Sequence, residues 1–203
     1  LSDIQNNLQD IEHHMLHFLD NHDEQRLASP EFAGTPQKGK PLMVVSTTIS
    51  TSPTMVYFGQ EVGEAGNENA GFGTHSRTSI FDYIGVPNHQ RWMNGGKFDG
   101  GQLTQEEKEL RDFYKRILNF SLNSTALMGE DQEIQTVNRQ TTQGYDPGIY
   151  AFTRWSDTQK LVIGLPFSLV TNQKDKGQNL SHNSSWVLRM HLLSTCLLVQ
   201  KNN

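Results

Sequence analysis

Two short apolar stretches, Met15 to Leu19 (MLHFL) and Met55 to Phe58 (MVYF), stop at polar or glycine-rich sequence, and a helix-length pattern separates them. The first runs straight into Asp20-Asn21-His22-Asp23 and the second ends at Gly59. Before the first stretch, Ile4, Leu8, Ile11 and Met15 recur at spacings of four, three and four, one stripe of a helix that Ser2 or Asp3 can cap. Between the two stretches, Ala28 to Lys40 is broken by Pro30, Gly34, Pro36 and Gly39 and reads as loop. Pro41 suits the first turn of a helix with Leu42, Val45 and Ile49 on its apolar side. The order is therefore helix, strand, helix, strand. Strands joined by a helical crossover run parallel, and the polar groups that follow them gather at one end of the sheet.

Beyond Gly63 the character changes twice. Gly63 to Gly101 is rich in Gly and Asn and carries Phe72, Phe81, Tyr83 and Trp92, so it reads as a long functional loop. Thr104 and Glu107 then form a capping box, opening a helix in which Leu110, Phe113 and Ile117 share a face. From about Ile134 the period shifts towards two. Ile134 to Asn138, Ile149 to Thr153 and Lys160 to Leu165 read as antiparallel strands, with turns at Tyr145-Asp146-Pro147-Gly148 and Ser156-Asp157. The expected division is 1–127, helical with parallel strands, and 128–203, all-β.

Charge and hydropathy narrow the function. Of the 203 residues, 17 are Lys or Arg and 22 are Asp or Glu, and the net charge of -5 offers no concentrated basic face for a nucleic acid. No apolar run approaches the roughly 20 residues that span a bilayer. A single cysteine, Cys196, excludes an internal disulfide framework. Leu1 opens directly into patterned helix, so an upstream portion is expected to be missing, which leaves the compartment undecided.

Chemistry concentrates in Phe18 to Arg26, FLDNHDEQR, which sets a His and two acids beside an Arg at the end of a buried strand. A strand-end turn capped by Asp23 would explain the same residues. FLDNHDEQR resembles the fourth conserved region of the alpha-amylase family of glycoside hydrolases (family 13), Asn-His-Asp at the end of the seventh barrel strand. Thr54 to Glu61, TMVYFGQE, resembles that family's eighth-strand segment, and Pro53 precedes it as the family pattern requires. Gly148 to Ile163, GIYAFTRWSDTQKLVI, resembles the opening of its trailing β-domain, and Arg77 to Tyr83, RTSIFDY, is similar to the loop after the eighth strand.

The resemblance implies an α/β chain, the C-terminal portion of a (β/α)8 TIM barrel followed by a partial, β-sandwich-like all-β domain. It implies action on α-glucans or maltooligosaccharides with retention, by a nucleophile and a general acid about 5 to 5.5 Å apart. Asp23 matches neither of these. It matches the third carboxylate, which grips the sugar beside the scissile bond and stabilises its oxocarbenium-like transition state. His22 would donate to the same sugar, and Asn21 and Arg26 join it as substrate-binding residues that position the pair. The nucleophile and the acid belong to strands upstream of residue 1, so the chain alone is expected to hydrolyse nothing and its unpaired strand edges to favour self-association. A carbohydrate-binding protein on the same scaffold, or a fragment without independent function, is the alternative. No cofactor is assigned: calcium is frequent in the family, but its usual ligands lie mostly upstream.

Other features carry less. His13 and His17 have the i, i+4 spacing of a helical metal site, but no Glu follows the first His. Glu61 and Glu64 stand where they could line a cleft, and Phe81, Tyr83 and Trp92 could stack on pyranose rings or form a mini-core. Asn119-Phe120-Ser121 and Asn123-Ser124-Thr125 match the glycosylation triplet. After Ile163 the chain departs from the family, continuing Gly164-Leu165-Pro166-Phe167-Ser168 into a polar run, as a change of reading frame near residue 164 would produce.

Overall fold

The structure is a computed structural model that describes residues 2–8, 10–66, 78, 85–166 and 197–202. The chain forms two compact units, Leu1–Ser124 and Thr125–Asn203.

Among the described residues, the first unit has a single point of parallel pairing. His17 N–H donates to Pro53 O at 2.9 Å and Met55 N–H donates to His17 O at 2.8 Å, a parallel bridge between His17 and Thr54. Neither apolar stretch extends into a ladder. An isolated parallel pair is marginal, and each stretch has only the other beside it among the described residues. Met15, Leu16 and Phe18 stay exposed and, with Leu8, Leu42 and Val45, line an apolar groove of about 330 Å³. Ahead of this pair, α1 spans Ser2–Leu8 and stops there, where the sequence pattern ran on to Met15. Asn6 and Asn7 are poor helix formers, and the chain continues instead as a 3-10 turn at Glu12–His14.

The crossover helix α2 spans Pro36–Thr48, five residues earlier in its start than Pro41 implied. Thr35 caps it, its side chain accepting from Lys38 N–H at 3.3 Å, and Pro36 takes the first turn, where a missing N–H costs nothing. Pro41 therefore lies inside the helix. Gly39 is buried against Leu27: a Cβ there would stand 2.8 Å from the Leu27 side chain. Met43, Val44, Val45, Ser46, Thr47 and Thr48 are all buried, the composition of a helix covered on every side. Thr47 and Thr48 satisfy their hydroxyls within the helix, on Met43 O at 2.9 Å and Val44 O at 2.6 Å.

Within the long loop lies α3, Pro87–Met93, which the glycine-rich composition concealed. Next, α4, Gln105–Asn123, begins at the expected capping box: Glu107 N–H donates to Thr104 Oγ1 at 3.3 Å, and Thr104 N–H donates to Glu107 Oε2 at 2.9 Å. Leu110, Phe113, Tyr114 and Ile117 bury its inner face against α2, and Ser121 Oγ donates to Thr47 O at 2.9 Å.

The second unit is an antiparallel meander of four strands: β1 Glu130–Glu133, β2 Ile149–Trp155, β3 Gln159–Pro166 and β4 Leu197–Asn202. In β3, Leu161, Ile163 and Leu165 are buried alternately with Lys160, Val162 and Gly164, the period-two pattern of a half-covered sheet. Ile134 to Asn138 is not a strand. The short helix α5, Gln135–Asn138, turns the chain so that the Asn138 amide takes a strand's place, donating to Ala151 O and accepting from Ala151 N–H at 2.8 Å each. Gly129 is dictated by crowding, because a Cβ there would lie 2.0 Å from Trp155 O. Leu197–Asn202 pairs with β3, although the apolar tail around it has no strand periodicity.

Glu107 links α4 to α3, since Arg91 Nε donates to both its carboxylate oxygens at 3.1 Å. Burial would raise the Glu107 pKa, but the bonds from Arg91 and Thr104 N–H together hold it below the ordinary glutamate value. A carboxyl lowered in this way contributes stability above its unfolded-state pKa and loses it as pH falls through its folded-state pKa. Glu107→Gln is expected to lower stability by about 1 kcal/mol at pH 7. In urea titrations repeated at falling pH, the gap to the unaltered chain should close below the folded-state pKa; a gap that widens would contradict this account.

Candidate functional site

Because the pairing is parallel, whatever follows His17 and whatever follows Thr54 emerge at the same end. Asp20-Asn21-His22-Asp23 comes from the first stretch and Tyr57-Phe58-Gly59 from the second. Asn21 organises the turn: its Oδ1 accepts from Asp23 N–H and Glu24 N–H at 2.8 Å each, an Asx turn. This presents His22 and Asp23 side by side, Nε2 to Oδ2 3.3 Å, with side chains 52% and 70% exposed. The pair faces solvent.

Arg26 is wholly buried and offers no atom at the surface. Its Nη1 donates to Phe58 O at 2.8 Å and to Asp20 Oδ2 at 3.3 Å, and its Nε donates to Thr78 Oγ1 at 2.9 Å. The guanidinium lies 4.6 Å from the Tyr57 ring centroid and 4.9 Å from that of Phe58, while Nη2 makes no hydrogen bond among the described residues. Asp20, equally buried, accepts from Leu27 N–H at 2.6 Å. Burial pushes the Asp20 carboxyl up, against the pull of Arg26 and of that N–H. Burial likewise raises Tyr57, whose hydroxyl makes no hydrogen bond among the described residues, with the Asp20 and Asp23 charges adding to the shift and Arg26 opposing it. The turn and the second stretch thus share one electrostatic environment.

The remaining sequence candidates separate. Glu64 does not line a cleft: it is 2% exposed and caps α3, accepting from Asn88 N–H at 3.0 Å and His89 N–H at 3.4 Å, with its pKa raised by burial against those bonds. His17 is bound into the fold through Nδ1 to Ser46 O at 3.1 Å, whereas His13 and His14 are exposed on the 3-10 turn. The described residues hold no group of three or more metal-ligating side chains. Trp92 stacks on His89 at 5.6 Å and meets the Phe98 ring edge-on at 5.8 Å, a small aromatic cluster. Phe72, Phe81 and Tyr83 lie outside the described residues, as does RTSIFDY apart from Thr78. Sequence reasoning passed over Asp20 and Thr78. An acid set at the end of an apolar run, six residues before an Arg, was the available signal for Asp20.

No family model matches the chain, and no curated protein does. Solved structures do match, and they are alpha-amylase-family enzymes. A variant of AmyP in complex with maltotriose superposes with a TM-score of 0.54 at 20% identity, over 83% of this chain and 34% of its own. The cyclic alpha-maltosyl-(1→6)-maltose hydrolase from Arthrobacter globiformis, in ligand-free form, gives 0.52 at 16%, over 79% and 30%. The Nostoc punctiforme debranching enzyme, soaked with acarbose, gives 0.50 at 19%, over 82% and 28%. The chain spans about a third of the length of these structures and shares the fold of the part it matches.

The Asx turn makes a local prediction. Asn21→Ala should speed amide exchange at Asp23 and Glu24 several-fold while costing about 1 kcal/mol or less overall. Asn21→Asp, which keeps the acceptor, should leave both amides protected, and hydrogen exchange by NMR separates the two results.

Proposed function

We propose that this chain is part of an α-glucan-acting glycoside hydrolase of alpha-amylase type: the seventh and eighth strands of a (β/α)8 barrel over residues 1–127, and the start of a trailing β-domain over 128–203. One observation carries the reading: parallel pairing brings the Asn-His-Asp turn and the end of MVYF to one rim, with His22 and Asp23 adjacent and exposed. The neighbours solved with maltotriose and acarbose support an oligosaccharide ligand.

In this reading Asp23 accepts hydrogen bonds from hydroxyls of the sugar beside the scissile bond. Those bonds tighten as the ring flattens and positive charge builds at the anomeric carbon, and a fixed carboxylate lowers the energy of that charge. His22 donates to a neighbouring hydroxyl. Asn21 holds both through its Asx turn, and Arg26 supports them from beneath. Asp23 is neither nucleophile nor proton donor, and no pair of facing carboxylates stands on this rim among the described residues. In this reading the nucleophile and the acid lie on other strands of the barrel, and this chain by itself cleaves nothing.

Two measurements test the reading. Purified chain incubated with maltotriose or starch should release no reducing sugar; hydrolysis that disappears in Asp23→Asn would refute the statement that the chain alone cleaves nothing. Titration with maltotriose should shift the NMR signals of His22 and Asp23, with Asp23→Ala weakening binding about tenfold, the worth of one hydrogen bond to a charged group. A titration that leaves both residues unmoved removes the assignment.

A further inference from the structure

We propose that Asp20 and Arg26 are the positioning residues of this rim: a buried clamp that sets the angle at which His22 and Asp23 face a sugar, without touching it. The proposal rests on the reading of Asp23 given above and extends it to two side chains that reading does not place against a ligand.

The geometry is that of a turn locked at its base. Asp20 opens the turn, and Arg26 and Leu27 close it. One carboxylate ties both ends, Oδ1 to Leu27 N–H at 2.6 Å and Oδ2 to Arg26 Nη1 at 3.3 Å. Arg26 then anchors this base to two distant points, Phe58 O at 2.8 Å and Thr78 Oγ1 at 2.9 Å, 32 and 52 residues along the chain. The two hydrogen bonds to Asn21 Oδ1, from the Asp23 and Glu24 amides, begin and end inside the turn and shape its tip. Asp20 and Arg26 tie the base of that turn to the rest of the fold.

Stability alone is a poor reason for such a pair. Desolvating two charges offsets most of their attraction, so an apolar pair of similar volume would hold a core as well. A planar fork does what apolar packing cannot, fixing direction and register by bonding a carboxylate, a carbonyl and a hydroxyl at once. Lysine offers a single charged centre and cannot span the same three acceptors.

NMR on the full chain tests the clamp. In the unaltered chain the Arg26 Nε–H and the Leu27 amide should exchange at least about 100-fold more slowly than exposed groups. Exchange at the exposed rate overturns the proposal with no variant needed. The coupling between His22 and Asp23 is then read as the change in the His22 ring-proton shift caused by Asp23→Asn. Asp20→Asn and Arg26→Lys should each reduce that change by about half or more while far-UV circular dichroism is retained. An undiminished change in folded variants overturns the clamp. Should both variants fail to fold, Thr78→Val decides. Faster Arg26 Nε–H exchange with a smaller His22 response supports the clamp; faster exchange with an unchanged response sinks it. Maltotriose separates the two readings. Lack of binding with clamp behaviour intact removes the sugar assignment alone, and binding that ignores Asp20 and Arg26 removes the clamp alone.

Discussion

Two backbone hydrogen bonds, His17 N–H to Pro53 O and Met55 N–H to His17 O, govern the first unit. They make its two apolar stretches parallel, and parallel stretches must be joined by a crossover, which is α2. They also send both polar continuations to one end, where Arg26, at the close of the turn, donates to Phe58 O. An antiparallel pairing of the same stretches would place those groups at opposite ends, and no shared rim would exist.

Under the rim, polar groups are buried in a consistent order. Asp20 and Arg26 have no exposed surface, Glu64 is 2% exposed, and each charge has hydrogen-bond partners, although Arg26 Nη2 has none among the described residues. Glu64 receives two N–H groups from the start of α3, and Asp20 receives Leu27 N–H and the Arg26 guanidinium. At the exposed tip, His22 Nε2 lies 3.3 Å from Asp23 Oδ2, and the Asn21 side chain accepts from the Asp23 and Glu24 amides.

Interactions confined to a few residues were the legible ones. Thr104 and Glu107 sit three apart, so the capping box and the start of α4 follow from their spacing. Alternation in β2 and β3 with Ser156-Asp157 between them specified that hairpin. Thr35-Pro36 carried an equally local start signal for α2, which the later Pro41 and Gly39 obscured. Asn138 was illegible for the opposite reason. Its amide substitutes for a strand backbone against Ala151, a role that exists only once the sheet has formed.

What the sequence determined by itself was the local grammar: the capping box, the period-two strands, and the Asn-His-Asp and MVYF ends that resemble amylase-type enzymes. Its information there is carried by spacings of two to four residues, which backbone geometry converts directly into structure. Tertiary structure alone decided that Arg26 lies beneath the rim instead of on it, that Glu64 caps a helix, and that Asp20 joins the ends of the turn. Those outcomes depend on contacts from Phe58 O, Thr78 and α3, dozens of residues away. An acid or an arginine reads the same in sequence whether it ends in water or under two aromatic rings; burial makes the difference, and only the fold sets burial.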